Sequence, residues 1–229
     1  MTDVNIIISG MLNNTINKKY LKHFKSNIFR IKKIEDITLK PDKNYDFPNC
    51  KFEKFKEFNN INELTIFICD FTFPGGLVSM PIDNNLIVLS TYDFEKYLKK
   101  DSLKFEKFLL RFVLSFSIIY KTNNNVLPPI DNPPNLIHKN TEGCLFDYSC
   151  RITDLLIFHS NPILCLESKS DLKSKQKPEN YIKNIEIDIN KLGRSSFEKI
   201  ELFASQKPFI MEIIFLLLGC ILGFILSKI

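Results

Sequence analysis

The sequence predicts an α+β fold, a mixed sheet with phenylalanine-rich helices packed on it, followed by one C-terminal transmembrane helix. Three observations predict it. Short β-branched and aromatic runs, VNIII at residues 4–8, LTIFICD at 64–70 and LIVLS at 86–90, have the length and composition of buried strands. Between residues 105 and 120, Phe105, Phe108, Leu109, Phe112, Val113, Phe116, Ile119 and Tyr120 recur at three- and four-residue spacings, the pattern of a core helix. At the C-terminus, residues 213–226 (IIFLLLGCILGFIL) carry no charge.

Taken in order, the first strand ends at Ser9-Gly10, and lysines alternate with apolar residues through 14–29 as in an amphipathic helix leading to a strand at 28–31. The strand at 64–70 is followed by FTFPGGLVSMP (71–81), whose Pro-Gly-Gly reads as a turn or extended loop. Thr91 and Asp93 suit a helix start, and Asp101 or Ser102 suits the cap of the core helix. NNNVLPPIDNPPN (123–135), with four prolines, cannot continue a helix and predicts a surface loop. From 178 to about 205 the pattern is again helical, with Tyr181, Ile182, Ile185, Ile189 and Leu192 on one side, a break at Gly193 and a restart at Ser195 or Ser196. The expected organisation is a cytoplasmic domain over 1–170, a helical stalk over 171–207 and a membrane helix over 208–227.

The membrane helix rests on length and lack of a polar face. Phe209, Ile210 and Met211 extend the apolar run across Glu212, and nineteen helical residues rise about 28 Å, near the hydrocarbon thickness of a thin bilayer. Leu216, Leu217, Leu218, Ile221, Leu222, Phe224 and Ile225 surround the axis, unlike the one-sided stripe of a core helix. Residues 1–10 lack the basic and apolar regions of a signal peptide. Lys191, Arg194, Lys199 and Lys207 precede the segment and Lys228 follows it, so the positive-inside rule predicts a single-pass, tail-anchored chain with its N-terminal domain in the cytoplasm. Gly219 and Gly223 have the spacing that lets two spans approach closely, which suggests homo-oligomerisation within the bilayer.

Twenty-one phenylalanines and no tryptophan supply the core of a 229-residue chain whose formal charge is +5. The charges are interspersed, as in KFEKFKEF at 51–58, which reads as a solvated amphipathic segment, and no nucleic-acid partner is expected. Lys18, Lys19, Lys22, Lys25, Arg30, Lys32 and Lys33 make the N-terminal region locally basic, a pattern that also suits an anionic membrane surface. Of six cysteines, the five in a cytoplasmic domain would stay reduced and Cys220 lies within the expected span, so a disulfide framework is not expected.

His138, Cys144, Cys150 and Cys165, separated by five, five and fourteen residues, are candidate metal ligands for a structural zinc, with His159 or Asp147 as substitutes. None of these spacings is the short CxxC kind, and buried reduced cysteines are the alternative. The chain has no GxSxG, HExxH or glycine-rich phosphate loop, so no catalytic residue is assigned. Asp147 and Asp154 suit turn or capping roles within their segment.

The run HKNTEGCLFDYSCRITDL from residue 138, followed by NPILCLE from residue 161, resembles a group of small bacterial proteins with a Gly-Cys-Leu-Phe-Asp box and an Ile-Cys-x-x-Cys tail. That group is similar to the C-terminal half of archaemetzincin-like zinc peptidases, and the resemblance covers about 64–167. It implies a zincin-like domain and a structural zinc held by a cysteine-rich tail. Two departures bear on function. The helix that corresponds by order to the HExxH helix reads EKFLLRFVLSFSIIY, without a histidine, and the position three residues after Cys165 is Ser168. The implied role is a noncatalytic, peptidase-like domain that binds or regulates a protein partner at a membrane. The alternatives are an effector that oligomerises through its span and a metal-dependent hydrolase with an unrecognised site.

Overall fold

The computed structural model describes residues 1–10, 15–40, 52–59, 63–73, 77–100, 103–138, 143–147 and 162–226. The chain divides into two compact units, Met1–Gly193 and Arg194–Ile229. The first is α+β, with a five-stranded sheet made of β1 (Thr2–Ser9), β2 (Phe29–Ile37), β3 (Leu64–Cys69), β4 (Ser79–Asp83) and β5 (Leu86–Ser90) in the order β2-β1-β3-β5-β4. The β2, β1, β3 and β5 strands pair in parallel, and β4 pairs antiparallel with β5. The mixed sheet is therefore as the sequence predicts, with one strand more. β4 escapes sequence reading because Pro81 interrupts it, and proline in a sheet is tolerated on an edge strand, where β4 lies.

Burial on both faces explains the near-continuous apolar runs of the central strands. Val4, Ile6 and Ile8, with Leu64, Ile66 and Ile68, point into the larger core beneath the helices. Ile7, Phe67, Cys69, Leu86 and Val88 point into a smaller core on the other face. A 3₁₀ helix, Phe52–Phe58, covers that second face. Its three phenylalanines recur every third residue and share one side of a helix with three residues per turn. Phe55 is buried edge-on against Phe67 at 4.8 Å, while Phe52 and Phe58 meet Phe73 and Phe67. The segment expected to be solvated is thus amphipathic, but with its apolar side in a core.

The helix expected over 14–29 shortens to α1 (Lys18–His23). Asn17 caps its start, and after it the Ser26 hydroxyl accepts the N–H groups of Ile28 and Phe29, a turn that redirects the chain into β2. Much of the basic character here is locally paired: Lys18 with Asp36, Arg30 with Asp3, Lys32 with Glu63 and Lys33 with Glu35.

Two helices follow the sheet, α2 (Phe94–Lys100) and α3 (Phe105–Thr122), and α3 is the central core helix that its spacing predicts. The Asn/Pro-rich stretch after it is nonhelical, with Asn124 and Asn125 at φ 57° and 60°. Next come α4 (Leu166–Ser174) and α5 (Glu179–Leu192). Leu172, Ile182, Ile185, Ile189 and Leu192 join the main core. Buried Asp188 accepts hydrogen bonds from Ser26, the Asn27 backbone and side chain, and Lys191. The first unit runs to Gly193, and α5 belongs to it because the core receives its apolar face.

The second unit contains α6 (Ser196–Gln206) and α7 (Pro208–Leu226). Ser195 and Glu198 form a reciprocal capping box at the start of α6, after the break at Gly193 that the sequence predicts. Pro208 lacks an N–H and crowds the residue before it, so α6 stops and α7 begins at a sharp angle of 111°. Among the described residues no single helix is long and apolar enough to cross a membrane; Ser196–Gln206 and Pro208–Gly223 pass that test only together, as a bent pair.

Candidate metal centre

Three of the four residues singled out from the sequence converge: His138 Nε2, Cys144 Sγ and Cys165 Sγ lie within 4.8 Å of one another. Cys150 lies outside the described residues, as do Cys50, Glu142, Asp154 and His159. Gly219 and Gly223 are on α7, and a Cβ built at either meets nothing within 4 Å.

Three short backbone pieces hold the cluster together. The residue pair His138 and Asp147 forms an isolated parallel bridge, as does Cys144 with Ile163. Between them, the turn 143–147 folds on Asp147, whose Oδ2 accepts the N–H groups of Gly143 at 2.7 Å and Cys144 at 2.9 Å. Gly143 takes φ 88°, a left-handed conformation that a side chain would strain, and this brings both N–H groups onto one carboxylate oxygen. The turn role expected of Asp147 is thus visible. Its other oxygen, Oδ1, comes within 3.2 Å of His138 Nδ1, a close approach without hydrogen-bond geometry. A carboxylate beside Nδ1 leaves Nε2 to face the sulfurs.

Cys165 caps α4, and its sulfur accepts the backbone N–H of Ser168 at 3.4 Å. The Ser168 hydroxyl, on the first turn of α4, stands 3.2 Å from His138 Nε2 and 3.3 Å from each of the sulfurs of Cys144 and Cys165. From the other side, Arg111 of α3 donates through Nη2 to the carbonyls of Gly143, at 3.3 Å, and Cys144, at 2.9 Å. Burial pulls the pKa of this guanidinium down, opposed by the neighbouring Cys144 and Asp147. Burial also pushes the Cys144 thiol up, opposed by hydrogen bonds from the Phe146 backbone and Ser168.

Two sulfurs and an imidazole nitrogen, with a carboxylate close to the other ring nitrogen, are the donor chemistry of a zinc site, so the residues present fit the structural ion that the resemblance implies. α3 contains no histidine, and its contribution to this segment is the Arg111 side chain. Sequence reading missed Ser168 and Arg111 as members of the cluster. Ser168 stood out only as the residue that breaks a Cys-x-x-Cys pair, and Arg111 went unremarked although it is the single charge within FLLRFVLSF, the signal that could have found it.

No protein-family model, curated protein or solved structure matches this chain.

Proposed function

We propose that this chain is a tail-anchored membrane protein whose α+β unit is a noncatalytic binding or regulatory domain presented at the cytoplasmic face. The observation that carries this reading is the exposure of α7. Phe209, Phe215 and Leu216 are 71%, 64% and 70% exposed, and Leu217, Ile221 and Leu222 are also exposed, so among the described residues apolar side chains surround the axis uncovered. A nineteen-residue helix with these side chains in water would be a large aggregation liability, whereas lipid satisfies them. The bend at Pro208 supports the same reading. Phe197, Ile200 and Phe203 form an exposed apolar stripe on α6, with Lys199 and Glu201 elsewhere around it, the pattern of a helix lying in the headgroup plane beside a span.

In cells, the full chain should sediment with membranes and resist extraction at alkaline pH, with an N-terminal tag open to cytoplasmic protease. Recovery of the full chain in the soluble fraction, or a protected N-terminal tag, would defeat the anchor or its orientation respectively. The open surroundings of Gly219 and Gly223 favour self-association of the spans as a second role. Crosslinking within membranes should then fall in Gly219→Leu and Gly223→Leu while membrane recovery is unchanged.

A further inference from the structure

We infer that Ser168 is a ligand in its own right, and that His138, Cys144, Cys165 and Ser168 together hold one zinc-class divalent ion, with the serine oxygen at the fourth corner. A tetrahedral ion with bonds of about 2.3 Å to sulfur and about 2.0 Å to nitrogen or oxygen separates two light donors by about 3.3 Å, and a light donor from a sulfur by about 3.5 Å. Nε2 to the Ser168 oxygen is 3.2 Å, and Nε2 to Cys165 Sγ is 3.3 Å. Each sulfur is 3.3 Å from the Ser168 oxygen. These four of the six edges lie within roughly 0.2 Å of tetrahedral values, and the other two, Nε2 to Cys144 Sγ and sulfur to sulfur, are no longer than 4.8 Å. A serine that merely filled the gap left by a lost thiolate would need to touch one neighbour, not all three.

Charge supports the same donor set. Arg111 and Asp147 are both buried at the cluster and opposite in sign. Replacing two thiol protons by one divalent ion leaves the buried charge unchanged, whereas a third thiolate in place of Ser168 would add an uncompensated negative charge in a medium where that is costly. The neutral hydroxyl thus suits this pocket electrostatically. It also makes the centre weaker than a site with three thiolates, so the ion exchanges more readily.

The same atoms allow a rival arrangement, in which Cys165 is a nucleophile, His138 its base and Asp147 the orienting carboxylate. That arrangement has no use for Cys144 and Ser168, which converge on the same point. The ion uses all of them.

The test uses the full chain in mild detergent, with zinc and cobalt(II) as probes. The wild type should retain one zinc per chain through gel filtration, and His138→Ala and Cys165→Ser should lose it. Cobalt(II) should give thiolate charge-transfer absorption. Ser168→Cys should raise that intensity by about half, three thiolates replacing two, and Ser168→Ala should weaken zinc binding about tenfold or more. A wild type without zinc and without thiolate-cobalt absorption would overturn the centre. A cobalt spectrum unchanged in Ser168→Cys, or metal content unchanged in both His138→Ala and Cys165→Ser, would overturn the assignment of these ligands. Rapid alkylation of metal-free Cys165 that depends on His138, with zinc giving no protection, would favour the nucleophile instead. None of these outcomes bears on membrane recovery, so the anchor stands or falls separately.

Discussion

α3 and α7 are helices of 18 and 19 residues, both rich in Phe, Leu and Ile, yet their environments are opposite. α3 is buried from Phe108 to Tyr120, packed between the sheet, α1 and α5, and its polar residues have work: Arg111 reaches the carbonyls of the 143–147 turn. α7 offers the same kind of side chains, and Phe209, Phe215, Leu216, Leu217, Ile221 and Leu222 are all exposed. The comparison teaches that apolarity fixes only that a helix must leave water. Partner surfaces, here a sheet with a matching apolar face, decide whether it leaves by folding or by entering another phase.

Mutations in the two helices should separate these cases. Leu110→Ala in α3 removes a fully buried side chain and should cost about 2–5 kcal/mol, read as a loss of thermal stability of the full chain. The matching change Leu217→Ala should leave that stability within about 0.5 kcal/mol. Equal effects would mean that α7 is part of a folded core. Leu217→Lys places a charge near the middle of α7 and should cost about 3 kcal/mol of insertion, shifting the protein from membrane to soluble or aggregated fractions. Unchanged membrane recovery would show that α7 does not sit in lipid.

Smaller effects probe the covering of α3. Tyr181 of α5 packs against the core, and burial pushes its hydroxyl up to about 12. The unfolded chain ionises this group near pH 10 and the folded chain holds the proton longer, so stability falls as pH rises from about 10 to about 12, by an amount on the order of 2 kcal/mol. Tyr181→Phe should remove that alkaline loss while changing stability near pH 7 little, because among the described residues its oxygen has no hydrogen-bond partner. A denaturation series across this range, with and without the substitution, measures it. Smallest is the start of α6, where Ser195→Ala breaks the capping box and should reduce helicity at a cost of about 1 kcal/mol, with no change in membrane recovery.

Much of the fold was legible because periodic apolar patterns survive without context. The strands at 64–70 and 86–90, the core helix, the Asn/Pro loop, the break at Gly193 and the restart at Ser195 all appear where local chemistry puts them. β4 was hidden by Pro81, and the shortening of α1 by a serine turn that competes with helical hydrogen bonds. In the cluster, His138, Cys144 and Cys165 were legible as residue types, but their spacings could not show that a turn on Asp147 and the cap of α4 bring them together. Ser168 read as a loss, because a sequence shows which ligand type is missing and not which atom faces the gap.

By itself, then, the sequence determined the local elements and the apolar character of the C-terminal helix, since both follow from side chains three or four residues apart. The tertiary structure alone decided that α5 belongs to the first unit, that Phe55 is core, and that Ser168 meets three donors at once. Each of those depends on surfaces supplied by residues far away in the chain, and no local pattern carries the position of a distant partner.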